Sequence, residues 1–197
     1  MLRLALVAML AAGFQPASAQ SLTARQQIAA AVSPLPDEYR EGAEVRVLSD
    51  EGWQTIREGT NGLICLNDAP GDDEFHAACY HNSLEPFMER GRELRSEGHD
   101  DDTVRRIREE EARSGRLDMP EQSAALYSLT GPADSFDPQA MTVSGATPLY
   151  VVYMPYATTE STGLPGSAPR GEPWLMNPGM PWAHMMLVAP ETAGNGD

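Results

Sequence analysis

Cys65 and Cys79 are the only thiols in this chain of 197 residues, and they constrain its fold more than any other feature. In an exported protein, the oxidising compartment pairs an even number of thiols. A bond between these two closes a loop of about fifteen residues and stabilises the fold by roughly 3 kcal/mol. The sequence therefore predicts a Cys65–Cys79 disulfide. The alternative is a zinc site that adds His76 and His81, although this spacing matches no common zinc motif.

The first 19 residues have the pattern of a secretory signal peptide. Arg3 precedes an apolar run over residues 4–12 that is too short to span a bilayer comfortably. Ala17-Ser18-Ala19 then supplies the small side chains that a signal peptidase recognises. This pattern predicts cleavage before Gln20 and an exported mature chain, periplasmic or extracellular. A retained anchor helix is the alternative.

The charge of the chain excludes several classes of function. Its 14 basic residues are all arginine, and 29 acidic residues give a net charge of −15. Such a charge repels phosphate backbones and anionic lipid headgroups, so neither nucleic acid nor a membrane is predicted as a partner. The absence of lysine removes Schiff-base, Ser–Lys and P-loop chemistry. Because the common cofactor motifs are also absent from the sequence, we predict no cofactor.

Hydrophobic periodicity predicts one α+β domain over residues 20–190, followed by a frayed tail over residues 191–197. The predicted elements are a helix at 22–32, a three-stranded meander at 44–66, a helical hairpin at 84–113, strands at 126–129, 149–154 and 184–188, and a brief helix at 158–163. We expect a mostly antiparallel sheet with the helical hairpin packed on one face. Seven arginines between Arg90 and Arg113 alternate with acidic residues, which predicts an exposed, ion-paired helical surface.

The candidate catalytic residues are His81, Glu85 and His184. His81 and Glu85 lie one helical turn apart at the start of the predicted hairpin, so they could share a proton. The structural alternative is that His81 orders the chain between the disulfide and the helix. Ser161 follows the strongest predicted strand and is a candidate nucleophile with His184 as its base, but helix capping explains the same hydroxyl group.

The candidate metal ligands are His76, His81, Met180 and His184. Thioethers and an imidazole in the Met-rich segment from Trp174 to Met186 would suit copper(I) in an exported protein. Core packing by methionine and tryptophan is the alternative. The acidic loop from Asn67 to Glu74 contains Asp72 and Asp73, whose carboxylates would suit calcium. Its spacing fits no defined calcium loop, which favours a solvated surface loop.

The sequence thus predicts an exported binding or interaction protein, with an unidentified small molecule or protein as its partner. No candidate catalytic group outweighs its structural explanation, but the sequence leaves open whether the protein is an enzyme. The first alternative is a metal-assisted or acid/base hydrolase that uses His81 and Glu85. The second is a copper-handling protein that uses the Met-rich segment near the C-terminus.

Overall fold

The computed structural model of the chain describes residues 22–69 and 73–189. The predicted signal peptide, its cleavage site before Gln20, the tail over residues 191–197 and Asp72 of the acidic loop lie outside the described residues. Within them the chain forms one α+β domain with a mostly antiparallel sheet, which confirms the predicted fold class. None of the helices in these two ranges has the length and apolar character needed to cross a membrane.

The helices are α1 (Ala24–Val32), α2 (Asp37–Arg40), α3 (Glu85–Ser96), α4 (Asp101–Arg113) and α5 (Thr159–Thr162). Side-chain hydrogen bonds fix where α1 and α4 begin. Thr23 and Gln26 form a capping box at the start of α1, and Asp100 accepts a hydrogen bond from the backbone N–H of Thr103 at the start of α4. A 3₁₀ turn over residues 82–84 leads into α3, so the predicted helical hairpin is confirmed.

The strands are β1 (Glu44–Ser49), β2 (Gly52–Arg57), β3 (Leu63–Leu66), β4 (Glu74–His81), β5 (Ala124–Pro132), β6 (Phe136–Asp137), β7 (Thr142–Val143), β8 (Thr147–Tyr153), β9 (Trp174–Met176) and β10 (His184–Val188). In the described part of the chain, eight of them form a sheet in the order β2-β1-β3-β4-β5-β8-β10-β9. The short strands β6 and β7 pair with each other. The sequence did not predict α2, β4, β9 or the β6–β7 hairpin.

The predicted three-stranded meander is wrong, because β3 pairs with β1 rather than with β2. Val45 of β1 lies opposite Cys65 of β3 in a parallel pair, whereas β1 and β2 form an antiparallel hairpin. Burial explains this order. Three of the four residues of β3 are buried, while β2 remains partly exposed along its length and forms the edge of the sheet.

The sheet has two covered faces, and the alternation along β4 separates them. Phe75, Ala77 and Cys79 are buried on the face against which α1 packs. The next residue, Tyr80, is buried on the opposite face, beneath α3. Cys79 lies directly opposite Cys65 on β3, and the two are joined by a disulfide, which confirms that prediction.

The helical hairpin of α3 and α4 covers only part of the second face. Leu84 and Met88 pack with Tyr80 at one end of the sheet. Phe87 packs with Trp182, which belongs to the loop between β9 and β10. This arrangement leaves a groove between the hairpin and the sheet.

Candidate functional site

The groove has a volume of about 430 Å³, and its floor is built from one face of the sheet. Tyr80, Leu126, Tyr153 and His184 line it from four consecutive strands, β4, β5, β8 and β10. The strand register explains why they share this face, since Tyr80 lies opposite Leu126 and Tyr153 lies opposite His184. The floor is therefore aromatic and apolar, and it is positioned by hydrogen-bonded strands rather than by loops.

The helical hairpin gives the groove a basic wall. Two arginines from α3 and two from α4 line it: Arg92, Arg95, Arg105 and Arg108. Three of them have carboxylate partners: Arg92 with Glu85, Arg95 with Asp101 and Arg105 with Asp102. Arg108 makes no ion pair within the described residues. The groove is thus a basic site on a protein whose net charge is −15.

Arg108 is the most unusual of these side chains because it is half-buried without an anionic partner. Its Nε–H is buried and finds no acceptor in the described part of the chain. One Nη donates to the carbonyl oxygen of Phe87 at 3.2 Å, and the guanidinium lies 4.1 Å from the centre of the Phe87 ring. Burial lowers the pKa of Arg108 to about 10, so the group stays charged at neutral pH. A cation held in this way is ready to bind an anion.

Gly91 on α3 creates the space that this guanidinium occupies. A Cβ atom at Gly91 would lie 2.9 Å from Nη1 of Arg108 and 3.3 Å from Nη1 of Arg95. Glycine in the middle of a helix costs about 1 kcal/mol relative to alanine. The close approach of the two helices here therefore depends on a residue that the helix itself disfavours.

Aromatic rings form the end of the groove next to Arg108. Phe87 stacks on Trp182 with their centroids 5.9 Å apart and meets the edge of Tyr153 at 6.2 Å. The His184 ring packs on Tyr153 at 5.0 Å. Its Nδ1 lies 2.8 Å from the carbonyl oxygen of Trp182, and burial lowers the pKa of His184. This end combines flat apolar surfaces with a neutral imidazole.

The two members of the predicted acid/base pair have different partners. His81 is exposed, and its Nδ1 contacts both the hydroxyl and the backbone N–H of Ser83, at 2.8 and 3.3 Å. This is the structural alternative considered for His81, since the contact caps the turn that precedes α3.

Glu85 lies within a mostly buried ion-pair network beside the groove. Its carboxylate contacts Arg46, accepts from Arg92 at 2.6 Å and accepts from the Tyr80 hydroxyl at 2.5 Å. Burial raises the pKa of Tyr80, which keeps this hydroxyl protonated as a donor. Both carboxylate oxygens are occupied, so Glu85 fixes the first turn of α3 and the position of Arg92.

The structure also gives a position to the other predicted metal ligands within the described residues. The disulfide consumes both thiols of the alternative zinc site, and His76 contacts the Thr130 hydroxyl at 2.9 Å. His76 and His184 both line the groove. Over residues 22–69 and 73–189, no group of three histidine, cysteine or acidic side chains is placed to hold a metal ion. Asp73 of the acidic loop is exposed.

The methionines and the candidate nucleophile can be placed in the same way. The sulfur of Met180 accepts a hydrogen bond from Arg113 at 3.1 Å. The sheet register instead puts Met176 of β9 directly opposite His184. Ser161 exchanges capping hydrogen bonds with Thr158 at the start of α5, which agrees with the capping explanation.

Compared with known proteins, the chain matches no family model, no curated protein and no solved structure. Its own geometry is therefore the basis for a functional assignment. The groove with Arg108 is the candidate site; the sequence patterns pointed to His76 and His184 among its lining residues, but not to Arg108.

Proposed function

We propose that this protein is an exported, non-catalytic binding protein whose groove holds a small organic anion. The observation that carries the proposal is Arg108, a half-buried cation without an ion-pair partner in the described residues, which lines a cavity of about 430 Å³. Keeping an unpaired charge in such a place is unfavourable unless a ligand completes it.

The rest of the groove supports an anion that also has an apolar part. Ligand sites are typically apolar clefts with a few polar groups that orient the ligand. Here Leu126, Tyr153 and Trp182 provide apolar surface, and the guanidinium of Arg108 can form paired hydrogen bonds to a carboxylate or phosphate. The acidic remainder of the protein repels extended polyanions, which favours a small ligand over a polymer.

The proposed export is supported by the disulfide between Cys65 and Cys79, because such bonds form and persist mainly in oxidising compartments. The proposed ligand contacts in the groove are hydrogen bonds and apolar packing from the chain itself.

The proposal is tested by calorimetric titration of the full chain with cinnamate and with its neutral amide, cinnamamide. We expect cinnamate to bind and the amide to bind at least about tenfold more weakly, because only the acid completes the Arg108 charge. Arg108→Met should weaken cinnamate binding by a similar factor. Arg106→Met removes an exposed arginine from the same helix and is the matched control. Equal binding of acid and amide, or no binding of either, would contradict the proposal.

Copper(I) binding is a second candidate function, and the register of β9 and β10 favours it. Met176 is exposed and lies opposite His184, whose Nδ1 is held by a backbone carbonyl as is usual for a metal-binding histidine. Competition with a copper(I) chelator would test this function. Tight binding of one equivalent of copper(I) would support it if Met176→Leu abolishes the binding and Met119→Leu preserves it. Failure of the protein to compete with the chelator would exclude this function.

A further inference from the structure

His184 provides a polar contact of a different kind from the arginines. A carbonyl oxygen can only accept, so the 2.8 Å contact with Trp182 requires a proton on Nδ1 of His184. Burial lowers the pKa of this ring, which is therefore neutral at pH 7. In a neutral imidazole with a proton on Nδ1, Nε2 is an acceptor. Within residues 22–69 and 73–189 this nitrogen has no hydrogen-bond partner.

The wall of the groove carries groups that only donate, whereas its other polar side chains, His76, Tyr153 and Asn177, can accept as well. Guanidinium groups have no acceptor, so the four arginines of the wall can only donate. The Tyr80 hydroxyl is already engaged, since it donates to Glu85 and accepts from Arg92 at 2.8 Å. A ligand made only of acceptors would satisfy the arginines but leave Nε2 of His184 without a donor. A matching ligand has an anionic group and a separate hydroxyl group.

The shape of the surroundings favours a flat ligand skeleton. The rings of Phe87, Tyr153 and Trp182 lie within one cluster, and His184 continues it. Aromatic rings gain stabilisation from offset-stacked and edge-to-face contacts beyond that from buried area. An aromatic ligand makes such contacts with this cluster, whereas an aliphatic chain gains only the burial of its surface.

We propose that the groove binds a hydroxylated aromatic carboxylate, with Arg108 binding the carboxylate and His184 accepting the hydroxyl proton. This inference rests on the proposed function and deepens it by naming the ligand class. It assigns His184 a role in specificity, distinct from the catalytic and metal-binding roles suggested by the sequence.

The test compares two matched pairs of ligands by calorimetry with the full chain at pH 7: benzoate with 4-hydroxybenzoate, and cinnamate with 4-hydroxycinnamate. Because the benzoate and cinnamate skeletons differ in length, the pairs cover two separations between the carboxylate that Arg108 binds and the hydroxyl group that His184 binds. We expect the hydroxylated member of at least one pair to bind about tenfold tighter or more, because a site built for a hydroxyl group discriminates against the analogue that lacks it. In His184→Leu this preference should disappear while the parent acid still binds.

Two further variants separate specificity from folding. His184→Gln retains an acceptor oxygen and should keep part of the preference for the hydroxylated ligand. If His184→Leu does not fold, this variant is used in its place. His99→Leu changes an exposed histidine between α3 and α4 and should leave the preference intact. If the wild-type protein binds both members of each pair equally, the inference fails while the proposed function stands. If neither acid binds, both fail. A preference that persists in His184→Leu would refute the role of His184.

Discussion

Replacing Gly91 with alanine should separate the stability of the protein from its ability to bind an anion. Alanine in a helix is favoured over glycine by about 1 kcal/mol, which raises the free energy of unfolding. The new Cβ would lie 2.9 Å from Nη1 of Arg108, well inside the 3.5–4.0 Å that is typical of favourable carbon contacts. The guanidinium must move by roughly 1 Å, because the end of an arginine side chain yields more easily than two packed helices.

This displacement acts on the group proposed to hold the anion. A hydrogen bond to a charged group contributes about 1.5–3 kcal/mol, and each 1.4 kcal/mol changes affinity tenfold. Gly91→Ala should therefore weaken cinnamate binding by about tenfold to a hundredfold, while its free energy of unfolding equals or exceeds that of the wild type by up to about 1 kcal/mol. Calorimetry and urea denaturation measure the two quantities separately.

Gly166→Ala is the control, because a Cβ there meets nothing within 4 Å and the glycine does not have a positive φ. It should leave cinnamate binding unchanged. The reasoning is refuted if Gly91→Ala keeps wild-type affinity at wild-type or higher stability. A large loss of stability in Gly91→Ala would also refute it, since the clash would then be taken up by the helix packing rather than by Arg108.

Three further predictions concern stability, each measured by urea denaturation. Glu85→Ala should lower the free energy of unfolding by about 3 kcal/mol because it leaves two arginines without their shared carboxylate. Glu89→Ala, at an exposed position, should change it by less than about 0.5 kcal/mol, and equal effects of the two variants would show that the network contributes little. Replacing Cys65 and Cys79 together by alanine should cost about 3 kcal/mol, and an unchanged midpoint would contradict a stabilising role for the bond. Burial lowers the pKa of His184 in the folded state, so the contribution of His184 to the free energy of unfolding is complete above about pH 6.5 and is lost as the pH falls, because the unfolded chain takes up a proton first. His184→Gln should therefore lose less stability than the wild type between pH 6.5 and 5, and parallel pH profiles would refute this.

The elements that the sequence predicted are those with strong local signals. The hairpin of α3 and α4 was predicted from apolar spacing, a signal that acts within one or two turns. Strand β10 was predicted at its observed bounds, His184–Val188. Local periodicity was sufficient in both cases.

The errors in the sheet arose where non-local burial decides the pairing. Strand β4 contains two histidines and two alanines, so the alternation of apolar and polar residues along it is weak. Phe75, Ala77 and Cys79 of this strand are nevertheless buried. Strand β9 has only three residues between proline- and glycine-rich segments and exists because β10 pairs with it. The place of β3 beside β1 follows from its burial between β1 and β4, which a local pattern does not contain.

The role of Arg108 escaped prediction for a related reason. Arg92 and Arg95, like Arg105 and Arg108, are three residues apart, which is also the spacing of a solvated, ion-paired helix. Three of these arginines have carboxylate partners, but only Arg95 and Arg105 are also exposed as predicted, because Arg92 pairs with Glu85 in a mostly buried network. The burial of Arg108 against Phe87 depends on how the two helices cross. Gly91 in mid-helix was the one available signal of a close approach.

The disulfide also bears on how the fold is reached. In a strand pair, a shift of one residue would move every side chain of β4 to the opposite face, exchanging Phe75 and Ala77 for His76 and Ala78. The bond between Cys65 and Cys79 permits only the register in which the two residues lie opposite each other. Oxidation early in folding would therefore select the correct pairing of β3 and β4 before the remaining strands add on either side. A chain folding under reducing conditions would have to find this register by burial alone, and slipped pairings would compete with the native sheet.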